Sequence, residues 1–284
     1  MAPKFGPAGS SEAFSREHKS SLDAPAYLAA MGLDLLEYQC GKGVNIGTET
    51  AARLGEKARE QGITLTLHAP YFINLANPEA ESREKTVGYV LSSCRAADAR
   101  GARRITVHTG ALMKRTRAEA LAIARETLGM VLQRVDDAGY GHIHLCPETM
   151  GKINQLGDLD EVLSLCTLDE RLIPCIDFGH LYARSLGEDE GEEATERMLD
   201  RVEEILGRER AESFHSHFSR IEFTPNGGEK CHRTFEDNGG YGPDPAPLMR
   251  ALARRGWSPT VICESSGTQD ADALTMKRLY ESYL

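Results

Sequence analysis

The chain has 284 residues, 40% of them hydrophobic and 27% charged, and a formal net charge of −10. That composition excludes fibrous, low-complexity and disordered classes, and the acidic balance argues against a surface built for general nucleic-acid binding. No apolar run reaches the about 18 residues of a membrane span, and the start MAPKFGPAGSSEAF lacks a secretory core, so no membrane partner and a cytoplasmic location are expected.

Short β-like runs recur along the chain: KFGPA (4–8), LDLLEYQ (33–39), ITLTLH (63–68), RRITVH (103–108), HIHLCPE (142–148), LIPCID (172–177), SFHSHFS (213–219) and TVICE (260–264). The segments between them carry helical periodicity, as in AARLGEKAREQG and AEALAIARETLGMVLQRVDDAG, and several close on a glycine as helix C-caps do. Repeated β-then-α units in a chain of this length predict a (β/α)8 TIM barrel forming a single domain over 1–284. Cys40, Cys94, Cys146, Cys166, Cys175, Cys231 and Cys263 are scattered without a CxxC pair, which excludes a disulfide framework and a zinc knuckle. The stretch GGEKCHRTFED (227–237) has neither apolar alternation nor helical spacing and reads as a loop.

The strand-like runs end in, or run into, metal-capable side chains: His68, His108, Glu148, Asp177, His217 and Glu264, with His180 three residues beyond Asp177. In a barrel these ends converge on one mouth, where barrel active sites lie. Three histidines with three carboxylates suit zinc, manganese or ferrous iron better than calcium or magnesium. So many ligands exceed one tetrahedral ion. Two ions sharing a carboxylate would use them all, an arrangement suited to phosphate-ester hydrolysis. Alternatively, Glu148, Asp177, His217 and Glu264 alone hold one ion for isomerising or epimerising a sugar, with His68 and His108 as pocket walls. His142 and His144, towards the start of their strand, are expected to be structural, and His18 exposed.

The motifs LHAPYFINLANP (67–78), VHTG (107–110), PETMGK (147–152), CIDFGHLYAR (175–184) and ICESSGTQ (262–269) resemble the strand-end motifs of the endonuclease IV family. The resemblance covers the chain from about residue 60 onward. It implies a xylose-isomerase-like barrel that cuts DNA 5′ to abasic sites with a cluster of divalent metals, acting as a monomer. It further implies that His68, His108 and Glu148 hold one ion and that Glu148, Asp177, His217 and Glu264 hold a second. Glu148 would be the bridge, Glu148 and Glu264 the catalytic carboxylates, and His215 the fallback for His217. His180 and His232 match a third site, while Tyr71 and Asn74 match a loop facing the DNA. The sequence departs from the family at two places. Lys230 stands where the third site needs an acid, so that ion is expected to be weak or missing, with Glu229 or Cys231 as substitute and Lys230 aimed at phosphate. YQCGKGVN (38–45) does not match the family's duplex-probing segment.

Overall fold

The computed structural model describes residues 2–284. In chain order the strands are β1 (Lys4–Pro7), β2 (Leu35–Gln39), β3 (Thr64–His68), β4 (Arg104–His108), β5 (His144–Glu148), β6 (Cys175–Asp177), β7 (His215–Phe218), β8 (Arg220–Thr224), β9 (Gly228–Arg233) and β10 (Thr260–Cys263). Eight of them form one parallel sheet in the order β1-β10-β7-β6-β5-β4-β3-β2, with helices in the connections. The two ends of that sheet meet. Asp34 N–H donates to Phe5 O at 2.9 Å and Gly9 N–H to Glu37 O at 2.8 Å, so the barrel closes between β1 and β2. Gly6 permits this seam, because a Cβ there would fall 1.8 Å from Leu35 O.

The outer helices follow from the sequence by familiar means. The helices Arg117–Asp137 and Leu159–Cys166 each begin with a capping box, Thr116 with Glu119 and Asp158 with Glu161. Such an N-cap stabilises a helix by about 1 kcal/mol. Others end where Gly32, Gly101 and Gly256 adopt left-handed backbone. The helices bury Leu54, Val90, Leu128 and Val131 against the strands, each Leu or Val contributing about 1.5–3 kcal/mol of apolar burial.

Strand alternation sends Leu65, Leu67, Ile105, Val107, Leu145, Ile176, Phe214, Phe218 and Val261 outward into that helix-facing core. The inward set is largely polar where barrels usually pack branched apolar residues. It includes Glu37, Thr66, Thr106, Glu148, Asp177, His215 and His217, all buried. Among the described residues no helix is long and apolar enough to cross a membrane. His18 is half-buried, stacked on Phe14 with centroids 4.9 Å apart, because the short helix Glu12–Glu17 folds back toward Tyr27.

One element departs from expectation. GGEKCHRTFED does not form a plain loop: Gly228–Arg233 is strand β9, paired antiparallel with β8 in a hairpin that follows β7. Its apolar signal is weak because the hairpin packs one face only, through Ile221 and Phe223, over the end of the barrel.

Candidate metal centre

The sheet register assembles the upper layer. His108 pairs with Glu148 across β4 and β5, and Asp177 with His217 across β6 and β7. Glu264 follows β10 directly, its N–H donating to Phe218 O at 2.9 Å. His180 lies in the first turn of the helix Phe178–Arg184, whose N-cap is Asp177 itself. These side chains converge on a cavity of about 290 Å³ lined by His68, His108, Glu148, His180 and Glu264 among others.

Four groups have ligand atoms within 4.8 Å of one another; one, Cys175 with His215 and His217, lies below the mouth, and the three at the mouth are His68 with Glu148 and His217; Glu148 with Asp177, His217 and Glu264; and His180 with Glu229 and His232. His68 and His108 both turn Nε2 toward Glu148 Oε2, at 3.3 and 3.2 Å, while Glu148 Oε1 lies 2.8 Å from His217 Nδ1. The rings are aimed from behind. Nδ1 of His68 donates to Ala69 O at 2.7 Å, Nδ1 of His108 to Tyr71 O at 2.8 Å and Nδ1 of His180 to Thr149 O at 2.8 Å. In each case Nε2 faces the cavity, able to ligate once it has lost its proton, as in metal-ligating histidines held by an outer acceptor. His232 is held the same way by Ser219 Oγ, 2.8 Å from its Nδ1.

The donor set fits a cation. Asp177 Oδ2 is buried without a hydrogen-bond donor. The His180 ring is 3.3 Å away but spends its Nδ1–H on Thr149 O. An orphaned carboxylate oxygen among three further acidic or imidazole groups is the arrangement a divalent ion completes.

The groups set one another's charge. Burial opposes ionisation of Glu148, but His217, His108 and His68 outweigh it and hold the carboxyl well below its usual range. Burial also opposes protonation of His68, yet Glu148 carries its pKa up to about 9. His180 is likewise opposed by burial and lifted to about 9, by Asp177 and then Glu229. Asp177 moves up through burial itself.

Glu37, on β2, is a residue of this centre that the pattern of strand ends misses. It is buried one layer below the cavity and accepts from Thr66 Oγ1 at 3.1 Å, Thr106 Oγ1 at 3.3 Å and His215 Nε2 at 3.0 Å. His217 Nε2 lies 3.0 Å from its other oxygen, off the line of a good hydrogen bond. That carboxylate keeps His217 turned so that Nδ1 meets Glu148. The only sequence signal is a charge inside the apolar run LDLLEYQ. His215 sits one layer below His217 with both ring nitrogens engaged, Nδ1 by Thr260 Oγ1 at 2.6 Å, so it has no lone pair to offer. His142 meets Asp98 at 2.9 Å and His144 the Arg171 carbonyl at 2.9 Å, away from the mouth.

One expectation is corrected. Lys230 does not face the cavity. The β8–β9 register shifts between Glu222 and Phe223, leaving Lys230 as the unpaired residue of a bulge. A bulge reverses side-chain parity. It therefore brings Glu229 onto the face of His232 and sends Lys230 outward, where Nζ meets Glu222 Oε1 at 2.5 Å beside Arg233. Gly151 makes room, since a Cβ there would lie 2.7 Å from Glu229 Cβ. Asn74 braces two loops: its Oδ1 accepts from Ala76 N at 3.0 Å and Ala111 N at 3.2 Å. Tyr71, 53% exposed, does line the cavity rim.

An eight-stranded parallel barrel with helices in its connections is a TIM barrel, and here imidazole and carboxylate side chains gather at its C-terminal strand ends. The sequence model of the xylose isomerase-like TIM barrel family matches residues 25–280, and the chain belongs to that family. An uncharacterized protein of Methanocaldococcus jannaschii is 32% identical over 251 residues, 88% of either chain. A probable endonuclease 4 of Aquifex aeolicus is 28% identical over 193 residues, 66% of this chain and 65% of that protein, so the match spans just under two thirds of its length. Among solved structures, a D-tagatose 3-epimerase-like protein superimposes with TM-score 0.72 at 19% identity, over 99% of this chain and 96% of that one. Endonuclease IV of Thermus thermophilus gives 0.69 at 19% identity, over 99% and 100%.

Proposed function

We propose that the chain is a divalent-metal-dependent phosphodiester hydrolase that cleaves DNA 5′ to abasic sites. The observation that supports this most is the division of Glu148. One of its oxygens faces His68 and His108, the other His217, within reach of Asp177 and Glu264. That is the geometry of a carboxylate shared by two ions, and it gives His68 and His108 a role that a single-ion site would not require. Bound zinc, manganese or ferrous ions supply a water of lowered pKa and stabilise charge on a leaving oxygen.

The chain's own residues do the rest. His68, His108 and His217 present oriented nitrogens, and Glu148 and Glu264 bring the negative charge that neutralises the ions. Glu229 with His180 and His232 forms the third ligand set. Tyr71 offers a ring face at the rim for an unstacked base or deoxyribose.

A second reading is a sugar isomerase or epimerase using only Glu148, Asp177, His217 and Glu264. A cavity of about 290 Å³ is of the size that encloses a monosaccharide. One experiment divides the two. The purified protein is assayed for metal content, then incubated with a duplex carrying one abasic site, with zinc, manganese or iron and with a chelator. Two or more ions per chain and chelator-sensitive nicking 5′ to the lesion are expected. One ion per chain, no nicking with any metal and turnover of a ketose would replace the first reading by the second.

A further inference from the structure

With Lys230 turned outward, one lysine remains at the mouth cavity. Lys152 is the sole lysine or arginine among the residues lining it. Its backbone is fixed from two sides. Ile153 N–H donates to Gly227 O at 3.2 Å and Glu229 N–H to Gly151 O at 3.1 Å, tying the loop after β5 to the hairpin. Arg184, from the helix after β6, donates to Met150 O at 3.1 Å, Lys152 O at 3.0 Å and Gln155 O at 3.1 Å. Two elements, the hairpin and the helix after β6, therefore hold a residue whose own side chain is exposed.

No ion pair or side-chain hydrogen bond engages the Lys152 ammonium among the described residues. This is notable for its surroundings, because Glu148, Glu229 and Glu264 line the same cavity and the chain as a whole carries a net charge of −10. Lys230, by contrast, is paired with Glu222 on the outer face of the hairpin. Lys152, anchored by its backbone and left unpaired, keeps a positive point charge at the entrance of a site whose ligands are all anionic or neutral.

We infer that Lys152 is the anion-binding residue of the site, contacting the non-bridging oxygens of a substrate phosphate beside the metal ligands. This rests on the phosphodiester reading. A diester keeps one negative charge in its ground state, and the carboxylates around the cavity would repel it. An ammonium on a flexible stem at the rim offsets that repulsion and lets the phosphate move as bonds change, where the fixed fork of an arginine would hold it in one pose.

The test uses the metal-loaded full-length protein with inorganic phosphate as the probe, followed by calorimetry, and variants checked for folding by circular dichroism. Lys152→Ala is expected to weaken phosphate binding about tenfold, which corresponds to about 1.4 kcal/mol. Lys152→Arg is expected to recover most of the loss, and Lys230→Ala to bind as the wild type does. With an abasic duplex, Lys152→Ala should raise KM more than it lowers kcat and reduce the salt dependence of binding by about one phosphate contact. Wild-type phosphate binding in Lys152→Ala, an equal loss in Lys230→Ala, or no phosphate binding by the wild type would each overturn the assignment. Failure to nick DNA with the phosphate results intact would remove the nuclease reading and leave Lys152 as an anion site.

Discussion

Two layers inside the barrel are made of the same residue types and behave in opposite ways. In the lower layer Glu37 accepts from Thr66, Thr106 and His215, and His215 is closed off by Thr260 on its other nitrogen. Burial drives the His215 pKa down to about 4, so it is neutral. Cys175 lies close enough to His215 and His217 to suggest a ligand trio, but the nitrogens of His215 are already committed. In the upper layer the histidines spend one nitrogen on an acceptor and leave the other facing an open cavity, while Asp177 Oδ2 has no donor at all. Spare lone pairs and access, rather than residue type, separate a metal site from a structural network. His217 belongs to both layers and transmits the order of one to the other.

The largest way to break the contrast is to remove the shared carboxylate. Glu148→Ala takes a ligand from two of the three sets at once. Metal content should fall to one ion or fewer per chain, and chelator-sensitive activity should drop to background. Retention of two ions in this variant would show that Glu148 is not shared.

Disturbing the lower layer tests whether it orders the upper. Glu37→Ala strips a buried carboxylate from His215, His217 and two threonines, and should cost about 3–5 kcal/mol in urea denaturation. Glu37→Gln keeps the volume and two of the acceptor sites. It should fold, yet bind metal about 10–100-fold more weakly, as loss of an outer partner of a ligating histidine does. Unchanged metal affinity in Glu37→Gln would make the lower layer a structural filler only.

A smaller effect concerns protons. His68 and His180 have pKa values of about 9 in the folded chain, against about 6.5 for an unfolded histidine. A raised pKa contributes stability below about 6.5 that is lost as pH climbs through about 9. Chelator-treated protein should therefore lose Tm between about pH 6.5 and 9.5. Metal-loaded protein should not share that loss, because ligation requires the deprotonated imidazoles. Parallel Tm profiles for the two forms would contradict protonated imidazoles in the upper layer. The smallest expected change is Lys230→Ala, which removes an exposed ion pair and should leave Tm and metal content nearly unchanged.

The barrel and the side chains at its mouth are legible because each sits where an apolar run stops at a charged or imidazole residue, a pattern set by strand alternation. RRITVH and HIHLCPE announce His108 and Glu148 without help from the rest of the fold. The choice of His217 over His215 follows from their position along the strand, and the structure gives them different layers. Three things are not legible, each for a physical reason. Glu37 looks like a polar interruption in a strand until its four partners, from three other strands, are known. Lys152 lies in a loop whose aim depends on Arg184 and the hairpin. Lys230 is placed, in the sequence, by its distance from His232 along the chain, and a bulge changes which distance matters. Spacing counts residues, whereas the fold counts faces.

The hairpin β8–β9 has a consequence of its own. It supplies Glu229 and His232 from an appendage that bonds through its backbone to Gly151, Ile153 and Gly242 and packs on the helix Phe178–Arg184. The first two ligand sets come wholly from barrel strands and do not need it. The third coordination position is thus a detachable module. Insertion or loss of one residue near Lys230 would change which side chains of β9 face His180 without touching the eight-stranded frame.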